Sequence, residues 1–291
     1  MSTTPTPEQQ VEHLLRSLTL QPRSGGRYHA RVYQDEGRLF GGLVLAQSVM
    51  AAGATVGEET IHSLHGYFLR AGKPAVNIDY EVVSIREGRN FKTRRVTAHQ
   101  ADDIIYEAMI SFTRQEPGIA HQAPMPDVPE PDGLPGYFEM LMQSHHFAEG
   151  TRRRRWHNPI DIRACDGPPR PPSEMLPRRR VWAKPVAPLP ESPLIHAAVM
   201  AYMTDSGMVG TVGAAYGAWA PGGASASLDH AIWWHRPPRF DDWLLYITES
   251  HAAHAARALT NGTVFNREGQ LVASVAQEAL FRQPAAEGKK S

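Results

Sequence analysis

Residues 225–236 read SASLDHAIWWHR and residues 61–70 read IHSLHGYFLR; laying Ser227-Leu228 over Ser63-Leu64 brings two long stretches of the chain into the same order. In each copy an aromatic, strand-like run meets a Gly/Pro or Pro/Pro break. Two segments of alternating polarity follow (VNIDYEVVSI and FKTRRVTAHQ, against DDWLLYITES and ARALTNGTVF), then a polar turn, then a last strand ending in Phe112 or Phe281. A repeat of that length restricts the chain to folds built twice. The 291 residues agree, since one domain holds about 100–200.

Each set of strands is preceded by an apolar helix. FGGLVLAQSVMAAGATV at 40–56 is apolar on most sides, the pattern of a helix buried all round. In the second copy Ser192 can accept a backbone N–H as N-cap and Pro193 suits the first turn. That helix runs through LIHAAVMAYMT and stops at Asp205-Ser206-Gly207, where glycine supplies a left-handed cap. At 8–19, Val11, Leu14, Leu15 and Leu18 share one face of a further short helix. The expected unit is one long helix plus a mainly antiparallel meander, an α+β unit present twice, at 1–115 and 191–291. Between them, 116–190 is dense in proline, which disfavours regular structure; a connector with one short helix near YFEMLMQSHHF is expected there. The run Arg152–Arg155 could grip ligand phosphates or form a solvated face.

Charge and motif content remove several function classes. Lys plus Arg equals Asp plus Glu at 30 each, without the basic excess that nucleic-acid binding requires. The N-terminus MSTTPTPEQQ lacks the basic and apolar regions of a signal peptide, and no stretch approaches the ~20 apolar residues of a membrane helix, so no membrane insertion and a cytoplasmic location are expected. Cys165 is the single cysteine, which excludes an intramolecular disulfide or a cysteine-based zinc site within one chain. Nucleophile-elbow, zincin, dinucleotide-binding and P-loop motifs are absent. His251 and His254 fall on opposite faces of a strand, His145-His146 sit in the connector, and His65 could line a groove between halves or serve structure. Neither a metal nor a cofactor is expected.

Two polar residues fall where a core should be, and Ser227 stands as a third candidate. Leu194, Ala198, Ala201 and Asp205 share one helical stripe, so a carboxylate continues the buried face. In the last turn the helix dipole disfavours negative charge and raises its basicity; a solvated turn aspartate is the plainer alternative. In LVASVAQEALF one face carries Leu271, Ala273, Val275, Gln277, Ala279 and Phe281, apolar except for Gln277. An amide there needs partners or costs about 1–3 kcal/mol. Laying Phe112 over Phe281 puts Ala108 at the place of Gln277, the asymmetry that one site per pair of domains would produce; a buried structural Gln satisfied by backbone is the alternative. Ser227 begins an aromatic strand, but its copy is Ser63, so the repeat does not single it out, and a turn or strand-start serine is the favoured reading from the residues alone.

Nine segments in order (FGGLVLAQ, HSLHGYFLRAG, GRNFKTRRV, HQAPMPDVPEPDGLP, HNP, AYMTDSG, SLDHAIWWHRP, DDWLLYITES, QLVASVAQEALFR) resemble the type II acyl-CoA thioesterases, the TesB-like double-hotdog proteins, over nearly the whole chain. The resemblance implies a double hotdog: each half wraps a sheet around a central helix, and the sheets join into one. It implies an acyl-CoA substrate and a catalytic set of Asp, Thr or Ser, and Gln that matches Asp205, Ser227 and Gln277. Two departures stand out. Ser227 replaces a common Thr and lacks the methyl that fixes the rotamer, and Leu43 replaces a common Gln. Backbone N–H groups around Gly41-Gly42 would serve the oxyanion, and arginines such as Arg94, Arg95 or those of the connector would meet the CoA phosphates. A homo-oligomer is expected. A hotdog hydratase would need an acid where Gln277 stands, and a non-catalytic acyl-CoA-binding protein would release no CoA.

Overall fold

The computed structural model describes residues 5–34, 37–143, 158–167, 176–216 and 224–282. Arg152–Arg155 and His145-His146 lie outside the described residues. Helix α1 (Pro7–Leu18) starts with a capping box in which Thr6 and Gln9 bond each other's backbone, and it buries Val11, Leu14 and Leu18. A short hairpin of β1 (Gln21–Arg23) and β2 (Arg27–Ala30) follows. Helix α2 (Gly41–Gly53) then runs through the middle of the first half, with all of its residues from Gly42 to Ala52 buried except Met50. Its Ala, Gly, Val and Leu content permits this, because small side chains let sheet and helix approach on every side.

Strands β3 (Thr60–Phe68), β4 (Ile78–Glu87), β5 (Phe91–Gln100) and β6 (Asp103–Thr113) wrap α2. The second half repeats this: α4 (Pro193–Asp205) is the central helix, and β10 (Asp229–Trp234), β11 (Leu244–His254), β12 (Arg257–Asn266) and β13 (Leu271–Arg282) correspond to the four strands. Ser192 caps α4 by accepting from the Ile195 N–H at 3.4 Å, with Pro193 in the first turn. The two sheets join edge to edge. Strand order across the joint is β4-β5-β6-β3-β10-β13-β12-β11, so β3 and β10 meet about a local dyad with Leu64 opposite Ile232. All pairs are antiparallel, and α2 packs against α4 between the halves.

The connector differs from the expectation in one respect. It contains helix α3 (Tyr137–Gln143), as anticipated, but also β7 (Ile160–Ala164) and β8 (Arg178–Pro185), which extend the second sheet beyond β11. The prolines cluster before and between these strands, while RRRVWAKP itself alternates and buries Val181, Trp182 and Ala183. Cys165, following β7, is half-buried, and burial pushes its thiol up to about 11, which leaves it protonated and unreactive. His251 and His254 lie in a strand, as read from the repeat, and are exposed. Among the described residues, no helix is long and apolar enough to cross a membrane.

Candidate active site

Helix α4 ends at Asp205, and two hydrogen bonds hold that end. Tyr246 Oη donates to the Thr204 carbonyl at 2.8 Å, and Arg179 Nη2 donates to the Ser206 carbonyl at 3.1 Å. Gly207 follows with φ +99°, and a Cβ there would collide with the Arg179 guanidinium, so glycine is required on both counts. Asp205 is buried as the stripe predicted. Its Oδ2 accepts from the Gly42 N–H at 2.7 Å, across the boundary between the halves. The N-cap of α2 is Phe40, which offers no side-chain cap, so an aspartate from the other half satisfies one of the helix's orphan donors. The amide dipoles of α2 favour the carboxylate there and oppose the dipole of its own helix. This contact also revises the expectation for Gly41-Gly42, because the Gly42 amide is committed to Asp205.

Ser227 and Gln277 are brought into direct contact. Gln277 Nε2 donates to Ser227 Oγ at 2.9 Å. The cause is a register shift. Short strand β9 (Ala224–Ser227) pairs with β13 so that Ser227 faces Ala279, whereas in the register of β10 that partner belongs to Leu228. Two residues thus oppose one, a bulge that turns Ser227 onto the face of Gln277. In the first half the corresponding irregularity falls earlier, between Ile61 and Ser63, and Ser63 sits opposite Ser111 on the outer face. The asymmetry that the repeat concealed lies in the backbone.

A fourth residue, His230, was missed. It is fully buried; its Nδ1 lies 2.6 Å from Gln277 Oε1 and its Nε2 3.2 Å from Thr204 Oγ1. Desolvation holds its pKa down to about 4, so the ring is neutral. The amide oxygen can only accept, so the proton sits on Nδ1 and Nε2 is left as an acceptor facing the Thr204 hydroxyl, whose one proton is shared with the Ala201 carbonyl at 3.0 Å. A chain Thr204–His230–Gln277–Ser227 results, and it ends one residue from Asp205. The signal was available in the repeat: His230 overlies Gly66, and Gly66 pairs with Ala108 just as His230 faces Gln277. Both polar partners are absent from the first copy.

The duplicated fold offers a second junction of this kind, and it is plugged. There α2 ends in Gly53 where α4 ends in Asp205, so no carboxylate meets the start of α4. The Leu194 side chain fills the space over Gly53, where any Cβ would collide with it. The remaining candidates lie elsewhere. His65 stacks edge-on against Trp233 at 4.8 Å on the outer face. Arg94 is buried at the end of α2, donating to Thr55 Oγ1 at 2.7 Å, the Thr55 carbonyl at 3.1 Å and Ser84 Oγ at 3.0 Å, with Glu87 as ion partner. It is a helix cap, unavailable to phosphate. Arg95 is half-exposed beside Glu107 at 3.7 Å.

Two helix-wrapping halves joined edge to edge define a double hotdog. Residues 30–113 match the family model for an acyl-CoA thioesterase N-terminal domain, and residues 172–280 the model for acyl-CoA thioesterase. The chain is 33% identical over 279 residues to acyl-coenzyme A thioesterase 8 of Mus musculus, covering 91% of this chain and 87% of that one. It superposes on the crystal structure of an acyl-CoA thioesterase II, TesB2, from Mycobacterium marinum with TM-score 0.78 and 36% identity, covering 94% of this chain and 99% of that one. A hot dog fold protein from Alicyclobacillus acidocaldarius, at 20% identity and TM-score 0.77, shares the fold. The chain belongs to the type II acyl-CoA thioesterase family and is a thioester hydrolase.

Proposed function

We propose that the chain hydrolyses fatty acyl-CoA to free fatty acid and CoA by direct attack of water, with no covalent enzyme intermediate, and that Asp205, Ser227 and Gln277 do this chemistry. The observation that carries the reading is the direction of the hydrogen-bond chain. Gln277 Oε1 is occupied by His230 and its Nε2 donates to Ser227 Oγ, so the Ser227 proton and the second Nε2 hydrogen are left to hold a water. Asp205 takes a proton from that water as its oxygen attacks the thioester carbonyl carbon. The C–S bond then breaks and the CoA sulfur is protonated. His230 is a positioning residue, since it fixes which end of the Gln277 amide faces Ser227.

The acyl chain would lie between helix and sheet, where Leu43 on α2 replaces the Gln common in the family and bears on chain-length preference. A homo-oligomer is supported by the outer face of the β3–β10 joint, which exposes Tyr67, Met109 and Trp233. The test is CoA release followed with a thiol reagent over short to long acyl-CoAs, for wild type and Asp205→Asn in parallel. Loss of turnover with retained fold and acyl-CoA binding supports the roles given. Binding by wild type with no CoA released from any substrate overturns the reading in favour of a non-catalytic binding protein.

A further inference from the structure

Tyr106 on β6 is 0% exposed, and its Oη has no hydrogen-bond partner among the described residues. A buried hydroxyl in that state is uncommon and requires a reason. Its surroundings supply one. The phenol leans over Gly66, where a Cβ would collide with Oη. Gly66 is paired with His230 across the β3–β10 joint. Directly paired antiparallel residues present their side chains on the same face, with Cβ positions about 4.5–5.5 Å apart. The hydroxyl therefore stands beside the imidazole that holds Gln277. On its other side the ring packs on Phe68 at 5.0 Å between centroids. Phe68 and Asp205 Oδ2 both close on Gly41, at 2.9 and 3.0 Å from where its Cβ would be. Tyr106 thus lies between the carboxylate and the His230–Gln277 pair, and Gly66 is what makes room for it.

We infer that the Tyr106 hydroxyl is a further catalytic group, donating a hydrogen bond to the carbonyl oxygen of the bound thioester and stabilising the oxyanion formed when water attacks. This rests on the roles proposed above for Asp205, Ser227 and Gln277. Attack on a thioester moves an electron pair onto the carbonyl oxygen, and the site must place a donor there. The Gly42 amide is engaged by Asp205. Burial, and then the negative charge of Asp205, hold the phenol protonated, so it remains a donor. The atoms balance without any other reagent. The water oxygen bonds to the carbonyl carbon while Asp205 takes its proton; the pair on oxygen then re-forms the C=O as the C–S bond breaks. The proton passes to the CoA sulfur, and Tyr106 keeps its own throughout.

Tyr106→Phe removes the oxygen alone and separates a catalytic hydroxyl from a structural one. The expected result is a kcat lower by about 10²-fold, the effect of deleting one oxyanion donor, with KM within about threefold and a melting temperature unchanged or raised, because the lost hydroxyl has no protein partner. An unchanged kcat overturns the inference. A fall in kcat accompanied by a fall in melting temperature also overturns it, since the hydroxyl would then be supporting the fold. Asp205→Asn measured alongside keeps the two readings apart: if it retains turnover, the proposed site fails, whereas full activity of Tyr106→Phe beside an inactive Asp205→Asn removes Tyr106 only.

Discussion

Gln277 reaches Ser227 at 2.9 Å because two residues of the chain, Ser227 and Leu228, compete for one partner on β13 and the first of them is turned inward. On the proposed reading the pair holds one water and acts as a unit. Ser227→Ala is expected to lower kcat/KM by about 10²-fold, and Gln277→Ala to do the same or more. The double variant should be little worse than the poorer single one, because groups that hold the same water are non-additive. Ser227→Thr should retain activity. Steady-state kinetics on the four variants checks this, and simple additivity of the two losses would separate their roles.

Asp205 and Gly41 form a second coupled pair. A Cβ on Gly41 would sit 3.0 Å from Asp205 Oδ2 and 2.9 Å from the Phe68 ring, tighter than normal contacts. Gly41→Ala should therefore displace the carboxylate and lower kcat by at least about tenfold, while circular dichroism stays native. A misplacement on the order of 1 Å suffices for such losses. An unaltered kcat would show that the carboxylate position is not critical.

The His230 imidazole sets an acid limit on stability. Its folded pKa is held down to about 4 by burial, against about 6.5 in the unfolded chain. A depressed pKa means that the unfolded state binds the proton more tightly, so the stability present above pH ~6.5 is lost progressively as pH falls toward ~4, on the order of 3 kcal/mol in all. Denaturant unfolding between pH 4 and 7 should show this slope, and His230→Asn should flatten it. The same variant frees the Gln277 amide to rotate, so kcat should fall with KM little changed.

One chain should hold one ligand. The second junction is closed by Leu194 over Gly53, and Gly53 stands where the first junction has Asp205. Calorimetric titration with a non-hydrolysable thioether analogue of acyl-CoA should give one site per chain. Gly53→Ala should cost about 1–3 kcal/mol by overpacking and leave kcat close to wild type.

Much of this molecule is legible in its residues. The duplication, the two central helices, the Ser192 cap and the burial of Asp205 and Gln277 all follow from period, polarity and caps, because these are local consequences of one chain's own spacing. The strands hidden among prolines in the connector were not, since β8 is held by pairing onto β11 and β7 by pairing onto β8. What tertiary structure alone decided is which copies of equivalent residues meet. Ser63 and Ser227 look alike in sequence, yet a register shift placed one residue apart sends them to opposite faces of the sheet. Asp205 could be placed on a buried stripe, but its partner, the Gly42 amide, is 163 residues away in the other half. Such contacts are set by how two sheets join and two helices pack, and the energy that fixes them is shared across the whole core.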